Sequence, residues 1–543
     1  MKKYLLLFFL SFNFFYQAQT VGTISITNDV YDGYTLFTAF TETYLMNNCG
    51  QVINQWSSTF PPGNAVYLRN DGSILRAGRT NSTDIQFGGQ GGVVEIFDWD
   101  GNLTWQYFYD TPQFRQHHDV FPMPNGNVLV LAATVMTNAE AIQAGRDPNQ
   151  LLDGVLYNEQ ITEVTPIGSN FGNIVWEWNV KDHFIQDFDN SKDNFGDVGM
   201  SSGKLDLNFL NGLNPVANWL HINSIQYDET LDQIVISSRN MDEIYIIDHS
   251  TTTSEAATSS GGIYGKGGDF LYRWGNPLAY RQGTTTDAKL FGQHYPHYIR
   301  DYTPDNGKII IFNNGRGRTP EFSQVDIITP PTTAPGVFIP NGNSSYGPVN
   351  TDYTYIDPVN QTDFFSAIVS SAQRLPNGNT LVCQGRGSYF FELDTNDNIV
   401  WEYISPVPNN STSPVSQGSP PSPNNLTFRA IKYPTNHPAF NGRDITPGSP
   451  IELNPNISAC LALNLDDNQL AEHFDIFPNP SQGLFTVKST FDIESIEVYN
   501  LLGAKIKTIT NSKSVDLSNE TTGVYFLKLL SQNRVVTKKV LKR

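Results

Sequence analysis

Two short patterns of apolar and polar positions recur along the chain. In the first, a turn rich in Asn, Asp and Gly leads into an apolar strand, with examples at 70–75, 124–131, 231–236, 305–310 and 376–382. Asn-Gly and Asp-Gly sequences reach positive φ at little cost and therefore open tight β-hairpins. The pattern predicts an apolar inner strand after each of these turns.

The second pattern is an alternating strand, a polar turn, and a strand that contains Trp. Clear copies run through 93–105, 161–176 and 390–401, and weaker copies end at Trp56 and Trp274. Apolar and polar residues that alternate with period two predict half-buried β-strands. Repeated hairpins with one Trp per unit are typical of a β-propeller, so we interpret these Trp residues as packing between blades and not as sugar-binding platforms.

The number of repeats predicts six blades. The five turn-and-strand units are joined by a sixth apolar strand at 426–431. The hairpin at 43–56 has no inner strand before it, and the strand at 426–432 has no Trp hairpin after it, so the two pair if the ring closes. The fold class expected is all-β, a six-bladed propeller. An array of β-sandwiches or two smaller barrels remains the alternative.

The composition is typical of a β-rich globular protein, and it limits the classes of molecule that the protein could bind. Aromatic residues make up 12% of the chain and charged residues only 16%, with 43 Gly and 32 Pro. The formal net charge of −19 argues against nucleic acid as a partner, because binding phosphate backbones requires a basic surface. An anionic substrate would need a local cluster of arginine.

The two ends of the chain differ from its body. Lys2 and Lys3, an apolar run to Phe15 and a small-residue cleavage zone predict a signal peptide over 1–19. No later segment approaches the roughly 18 apolar residues of a membrane span, so no transmembrane segment is expected. The net charge is −25 over 20–473 and +4 over 474–543. We therefore expect a propeller over 20–460, a linker over 461–473 and a separate domain over 474–543.

The terminal domain has its own pattern of short motifs. The strings are Phe477-Pro478-Asn479-Pro480, Gly483-Leu484-Phe485-Thr486-Val487, Ile496-Glu497-Val498-Tyr499-Asn500, Leu502-Gly503 and Gly523-Val524-Tyr525-Phe526-Leu527. Their alternation predicts a small antiparallel sandwich. The segment resembles the type A C-terminal sorting domain of the type IX secretion system. This implies that the secretion machinery is a partner and that the protein reaches the cell surface or is secreted.

Histidine and arginine residues with candidate chemistry lie beside the predicted inner strands. The strings are His117-His118-Asp119, Trp219-Leu220-His221-Ile222-Asn223-Ser224, Ser237-Ser238-Arg239, Gln293-His294 and Asn314-Gly315. In a propeller the starts of inner strands open into the central channel, so these residues are expected to converge. Over most of 40–455 the chain resembles the PAPS-independent arylsulfate sulfotransferases, and these strings carry the resemblance.

The resemblance implies a reaction and assigns roles to residues. His294 would be the nucleophile that accepts the sulfuryl group of an aryl sulfate, and a phenol would take it in the second half of a ping-pong cycle. Arg239, His221 and His118, or its neighbour His117, would stabilise the sulfuryl oxygens. Asn223 and Asn314 would orient oxygens or the imidazole. The loop at 315–318 is more basic than the family pattern, so either Arg316 or Arg318 could face substrate or solvent, and we assign Arg318 to substrate binding. No nucleotide-binding motif is evident, and no cofactor or metal is implied.

Other interpretations of the same residues remain open. The histidines could be hydrogen-bonded structural residues of a propeller that binds or adheres without catalysis, or they could be metal ligands. The acidic stretch at 187–190 could hold Ca²⁺, although a solvated loop fits it equally. Water could also compete with the phenol and give sulfatase activity.

Three cysteines are too few for a disulfide-dense fold. Cys383 lies in an apolar strand and is expected to be a small buried residue. Cys49 lies in the first Trp hairpin and Cys460 follows the last predicted inner strand. Closure of the ring by both chain ends would bring these two together in an oxidising compartment, so a Cys49–Cys460 disulfide is expected.

Overall fold

The computed structural model describes residues 20–339, 345–457, 460, 473–489, 491–501, 503–510, 512–531 and 534–543. The signal peptide expected over 1–19, most of the expected linker and Leu502 lie outside the described residues. The described residues are all-β: antiparallel sheets follow one another along the chain, as the alternation of apolar and polar positions predicts.

Six antiparallel sheets of four or five strands, numbered 1 to 6 here, lie within the described part of residues 20–434. Sheets 1 to 3 comprise Gly33–Ala39, Glu42–Met46, Val52–Ser57 and Ala430–Pro434; Pro62–Leu68, Ile74–Arg79, Gly92–Phe97 and Leu103–Phe108; and Phe114–Pro122, Val128–Thr137, Val155–Ile167 and Phe171–Asn179. Sheets 4 to 6 comprise Ile222–Asp228, Gln233–Ser238, Glu243–Asp248 and Tyr272–Trp274; His294–Tyr298, Ile309–Asn313, Gln324–Ile328 and Tyr353–Tyr355; and Ser371–Arg374, Thr380–Gln384, Tyr389–Leu393, Ile399–Ile404 and Gly22–Ile26.

Short helices and ribbons connect the sheets. The α-helix Asn138–Gln143 begins with a capping box, in which the Thr137 side chain and Glu140 bond each other's backbone N–H groups. The remaining helical segments are Thr253–Ala256, Pro148–Gln150, Val180–His183, Pro277–Tyr280, Thr285–Asp287, Thr303–Asp305 and Pro438–Phe440. Two ribbons pair Phe184–Ile185 with Leu205–Asp206 and Thr332–Ala334 with Val337–Phe338. No helix among the described residues has the length and apolar character that a membrane span requires.

The two ends of the body meet in sheet 1. Ala430–Pro434 pairs antiparallel with Gly33–Ala39, which pairs in turn with Glu42–Met46. The strand predicted near 426–432 and the hairpin predicted at 43–56 therefore share one sheet. The expectation that no strand precedes this hairpin was wrong, because Gly33–Ala39 lies between the two.

The apolar strands that follow the Asn-Gly turns are not the first strands of their sheets. Ile74–Arg79, Val128–Thr137, Gln233–Ser238, Ile309–Asn313 and Thr380–Gln384 are each second in order, and another strand precedes every one of them. These segments were predicted to be the first strand of each sheet, and each is the second strand instead. The preceding strands escaped notice because their residues do not alternate regularly.

Buried Trp residues connect five of the six sheets, all except sheet 5, to the next sheet. Trp56, Trp105, Trp176, Trp274 and Trp401 are all nearly inaccessible to solvent. Each indole Nε1–H donates to an acceptor in or beside the following sheet: Asp98 O, Phe171 O, Thr251 Oγ1, Pro348 O and Asn48 O, respectively. These contacts confirm packing between sheets as the role of the Trp repeat.

A disulfide joins the two ends of the body. Cys49 and Cys460 form a bond that spans 411 residues of sequence. Cys383 is a free, buried thiol, and burial raises its pKa. In the chain-entropy model a loop of this length contributes about 6 kcal/mol, by restricting the unfolded chain.

The terminal domain is a second, smaller β structure with its own core. One sheet contains Phe474–Phe477, Leu484–Ser489 and Ser514–Asp516, and the other contains Lys505–Thr510, Ser495–Asn500, Gly523–Ser531 and Arg534–Lys542. Its core includes Phe485, Ile496, Val498, Leu527 and Val540, which occupy the apolar positions of the alternating pattern.

His249 forms an ionic link between sheets 3 and 4, and it predicts a pH-dependent stability. Its ring nitrogens lie 2.7 Å from Asp232 Oδ1 and 3.1 Å from Glu163 Oε2. Burial lowers the His249 pKa, but the hydrogen bonds to Asp232 and Glu163 outweigh it and raise the pKa to about 9. A raised pKa stabilises the fold fully below the unfolded value of about 6.5, and this stabilisation is lost as pH rises through about 9.

We therefore expect His249→Gln to lower the melting temperature most near pH 6, with a cost on the order of 2–3 kcal/mol, and less as pH approaches 10. Calorimetric unfolding of both proteins across this range measures the difference. A deficit that stays constant with pH would show that His249 acts through packing on Trp176, whose ring centroid lies 4.8 Å away, and not through its charge.

Candidate active site

His294 begins the first strand of sheet 5 and is 3% exposed. Its Nδ1 lies 2.7 Å from Asn314 Oδ1 and 3.1 Å from Gly292 O. The Asn314 amide is held in this orientation because its Nδ2 donates to Ser366 O and Val369 O at 2.6 and 3.0 Å. Both partners of Nδ1 are acceptors, so Nδ1 carries the hydrogen and Nε2 keeps its lone pair.

The surroundings of His294 keep it neutral. Burial and the charge of Arg239, followed by that of Arg429, lower its pKa to about 3, against the effect of the Asn314 and Gly292 hydrogen bonds. A neutral imidazole with a bare Nε2 has the electronic form that a nucleophile requires.

His221 directly precedes the first strand of sheet 4. Its Nδ1 accepts a hydrogen bond from Asn218 Nδ2 at 2.7 Å, which places the ring hydrogen on Nε2. Burial and the neighbouring Arg239 hold the pKa of His221 well below its usual range. His221 therefore presents a neutral N–H donor.

His117 and His118 lie in the first strand of sheet 3. The two Nδ1 atoms are 2.9 Å apart, and His117 Nε2 lies 2.8 Å from Glu159 Oε2. The rings of His118 and His221 meet edge to face with centroids 4.7 Å apart. Phe428 lies between the two sides of the cluster, with its ring centroid 6.2 Å from His118 and 6.3 Å from His294.

β-bulges beside these histidines direct their side chains towards the cluster. The ladder of sheet 3 loses register between Gln116 and Val120, that of sheet 4 between Ile222 and Ser224, and that of sheet 5 between His294 and His297. A bulge re-aims side chains at the cost of ladder hydrogen bonds.

The backbone is strained at the same points. His118, His221 and Tyr295 have φ of 50°, 51° and 53°, a region that residues with side chains rarely occupy. Strain of this kind concentrates at functional sites, where the surrounding structure holds it.

Arg239 follows the second strand of sheet 4, and its backbone N–H donates to His221 O at 3.2 Å. Its side chain donates to Asn240 Oδ1 at 3.2 Å, and no salt bridge to it is found in the described part of the chain. Burial, then the charge of Arg316, lowers its pKa to about 10, so it remains a cation. Nearby Arg429 is different, because Asp119 neutralises it at 2.9 Å.

The side chains of Asn223 and Arg318 form hydrogen bonds to other protein groups. Asn223 Nδ2 donates to Gln293 O at 2.8 Å and so fixes the residue before His294, while its Oδ1 is buried without a hydrogen-bond partner among the described residues. Arg318 donates to Phe322 O and Gln324 Oε1 and stacks over the Phe322 ring. That Arg318 binds substrate stays a prediction. Its donors bond Phe322 O in the loop and Gln324 at the start of the next strand, and Arg316 lines both cavities.

Two adjoining cavities reach the His221 and Arg239 side of this cluster. The larger, about 680 Å³, has a mixed lining in which Phe87, Tyr157 and Trp219 lie beside polar residues, and it reaches His221 and Arg239. The smaller, about 370 Å³, shares Arg239 and Arg316 and reaches Gly292, the residue whose carbonyl oxygen contacts His294. An aromatic surface beside a guanidinium that forms no salt bridge among the described residues suits an aromatic ligand that carries an anionic group.

The structure brings His117, His118, His221, Arg239, His294 and Asn314 together, and it adds residues that the sequence did not single out. Glu159, Asn218, Phe87 and Phe428 belong to the cluster or its wall. Among the described residues, no group of three or more His, Cys, Asp or Glu is arranged to hold a metal ion. Asp187, of the acidic stretch at 187–190, pairs with Arg281.

Comparisons with known proteins identify two regions. The model of the arylsulfotransferase (ASST) family matches residues 63–411, and the model of the secretion system C-terminal sorting domain matches residues 475–543. The sorting domain indicates export by the type IX system to the cell surface or secretion. No curated protein matches the chain.

Solved structures show only weak likeness. A protein of unknown function from Bacteroides caccae is 10% identical, with 74% of this chain and 98% of that chain covered at a TM-score of 0.38. A periplasmic gluconolactonase from Pseudomonas aeruginosa is 8% identical, with 69% and 96% covered at 0.34. A virginiamycin B lyase from Staphylococcus aureus is 11% identical, with 71% and 88% covered at 0.32. At these TM-scores the likenesses carry no argument.

Proposed function

The chain belongs to the arylsulfotransferase family, and from this premise we propose that it moves the sulfuryl group of an aryl sulfate to a phenolic acceptor through a sulfohistidine at His294. The observation that carries the proposal is the tautomer of His294. Two carbonyl oxygens fix the hydrogen on Nδ1 and so leave the lone pair on Nε2.

In the first half-reaction, Nε2 forms a bond to sulfur while the bond from sulfur to the phenolic oxygen breaks. The product is an N-sulfonated imidazolium whose Nδ1–H still donates to Asn314 Oδ1 and Gly292 O. These oxygens stabilise the positive charge that the ring acquires. In the second half-reaction the acceptor oxygen attacks sulfur and the neutral imidazole leaves, which gives ping-pong kinetics.

Negative charge builds on the sulfuryl oxygens and on the departing phenolic oxygen in the transition state. Arg239 supplies a cation without a salt-bridge partner among the described residues, and the neutral His221 supplies its Nε2–H. Donors fixed in a dry site need no reorganisation as charge develops, and this makes them effective. His118 completes the donor set.

The larger cavity supports the choice of an aryl group. Phe87 lies with its ring centroid 5.8 Å from that of Tyr157 and 6.2 Å from that of His221, so an aromatic surface leads directly to the catalytic donors. Aromatic rings favour offset or edge-to-face contacts with such walls. We infer that the donor and the acceptor use this wall in turn.

We also propose a domain organisation for the chain. We propose that sheets 1 to 6 are the six blades of a propeller over 20–460, that 461–473 is a linker, and that 474–543 is recognised by the secretion machinery. The proposal is supported by the sequential order of strands within each sheet and by the closure of sheet 1 from both chain ends.

Turnover of p-nitrophenyl sulfate by the mature full-length protein tests the function. We expect release of p-nitrophenol to accelerate when phenol is added, with phenyl sulfate formed in equal amount, and parallel lines in double-reciprocal plots. Inorganic sulfate formed in place of phenyl sulfate would make water the acceptor. Absence of turnover with a range of aryl sulfates would favour the alternative of a binding or adhesion module.

A further inference from the structure

A buried carboxylate stands behind the histidine pair at 117 and 118. Glu159 lies in the third strand of sheet 3 and is 1% exposed, and His117 is 0% exposed. The chain of contacts runs from Glu159 Oε2 to His117 Nε2 at 2.8 Å and from His117 Nδ1 to His118 Nδ1 at 2.9 Å. Phe87 covers His117 with ring centroids 4.9 Å apart, and this contact helps to shield the pair from water.

Both carboxylate oxygens of Glu159 take part in hydrogen bonds. Its second oxygen accepts the backbone N–H of Ile222 at 3.0 Å, so both oxygens act as acceptors. The pair Glu159–His117 therefore forms one end of a continuous hydrogen-bond chain that reaches His118.

The surroundings of His118 disfavour a positive charge on its ring. Burial, and then His221, His117, His294 and Arg239, hold the pKa of His118 well below its usual range. A proton that reaches His118 is consequently easy to give away. The two nitrogens between His117 and His118 share a single hydrogen, because 2.9 Å leaves room for one hydrogen bond and not for two facing N–H groups.

We propose that Glu159, His117 and His118 form a proton relay that protonates the departing phenolic oxygen and later deprotonates the acceptor phenol. His118 is the group that contacts the substrate oxygen. His117 and Glu159 are positioning residues that hold the proton and set its direction. The inference rests on the proposed function and assigns the acid and base for both halves of the reaction.

The protons balance over the cycle. At the start His117 is an imidazolium paired with the Glu159 carboxylate, its Nδ1–H donates to His118 Nδ1, and His118 carries its own hydrogen on Nε2. As the bond from sulfur to oxygen breaks, His118 Nε2–H passes to the phenolate and the shared hydrogen moves from His117 to His118. Phenol leaves, and both rings are neutral. In the second half-reaction the acceptor phenol returns a proton to His118 Nε2 and the shared hydrogen moves back.

The other side chains of the cluster are poorly suited to this role. His221 is neutral with its hydrogen on Nε2, so giving that hydrogen away would leave an imidazolate. The hydrogen of His294 is on Nδ1 and is bound to Asn314 Oδ1. Arg239 has a pKa of about 10, well above that of a good general acid at neutral pH.

Dependence of the rate on the leaving group tests the relay. We expect Glu159→Gln and His117→Gln to slow single-turnover cleavage of phenyl sulfate, a poor leaving group, by about 10²–10⁴-fold, the usual range for general acid catalysis. The same variants should slow p-nitrophenyl sulfate far less, because nitrophenolate departs without a proton. In the wild type, phenyl sulfate should show a solvent deuterium isotope effect and p-nitrophenyl sulfate none, a measurement that does not depend on how the variants fold.

Asp269→Asn is the matched control, because Asp269 Oδ1 lies 2.8 Å from Nδ1 of His183, a buried histidine outside the site. It should leave the leaving-group dependence unchanged. Equal slowing of both substrates in Glu159→Gln and His117→Gln, or no isotope effect with phenyl sulfate in the wild type, would overturn the relay alone. A wild type that cleaves no aryl sulfate would instead overturn the proposed function, and the relay with it.

Discussion

Replacement of His294 with alanine should reduce aryl sulfate turnover by on the order of 10⁴-fold or more, the scale seen when an enzyme loses its nucleophile. No other imidazole in the cluster has its lone pair set free in the same way, since Nδ1 of His221 is occupied by Asn218 and the His117–His118 pair is bound to Glu159. The rate of nitrophenol release by the variant, with its melting temperature as a check on folding, measures the effect.

Incubation of the wild type with an aryl sulfate and no acceptor should trap the intermediate. Mass spectrometry of the digested protein is expected to find one added sulfuryl group, on the peptide that contains His294. The Nδ1–H bonds to Asn314 and Gly292 remain in the intermediate, so the fold should not impede its accumulation.

His297→Gln is the appropriate comparison for this substitution. His297 lies on the same strand, and its Nδ1 contacts Tyr295 O at 3.1 Å, outside the catalytic cluster. This variant should label at His294 and keep most of its activity. A sulfuryl group found on His118 or His221, or undiminished turnover by His294→Ala, would remove His294 from the mechanism.

The periodicity of the sequence was sufficient for the fold class but not for the order of strands. Val128–Thr137 and its equivalents are long apolar runs after clear turns, because they are buried on both faces between neighbouring strands. In sheets 3 and 5 the strand before carries histidines and is broken by a bulge, and it shows no regular alternation, as in His294–Tyr298. A period-two pattern cannot find a strand whose register is interrupted for the sake of the site.

The candidate site was predictable where its residues stand in recognisable strings. His221, Arg239 and His294 were found in this way, and the structure places them together. Glu159 could not be found, since it lies 42 residues from His117 within an otherwise ordinary strand. The polar run Asn158-Glu159-Gln160 inside that strand was the available signal, because a buried carboxylate needs a partner.

The basic loop shows a second limit of sequence reasoning. Arg316 and Arg318 are separated by a single glycine, and nothing in their spacing tells which one faces the cavity. The structure separates them through local hydrogen bonds, because Arg318 satisfies its donors on Phe322 O and Gln324 Oε1. Arg316 has no such partners in the described part of the chain and lines both cavities.

Arg239→Ala should lower kcat for p-nitrophenyl sulfate by about 10²–10³-fold, the usual cost of losing one donor to a developing anion. The guanidinium is largely buried and forms no salt bridge among the described residues, although Asp242 lies near enough to act on its charge, so we expect its donors to be available to the sulfuryl oxygens. Labelling of His294 should still occur in this variant, but slowly, because the nucleophile itself is intact. The single-turnover rate of sulfohistidine formation is the measurement that separates the two roles.

Arg239→Lys and Arg281→Ala complete the test. Lysine keeps the charge but not the planar pair of donors, so an intermediate loss is expected. Arg281 lies at the surface and forms a salt bridge with Asp187, so its removal should leave kcat nearly unchanged.

Removal of the Arg239 charge should also raise the pKa of His294, because Arg239 is the strongest of the charges that lower it. If Arg239→Ala remains folded and turns over at the normal rate, the sulfuryl oxygens must be stabilised by other groups, and the assignment of Arg239 fails.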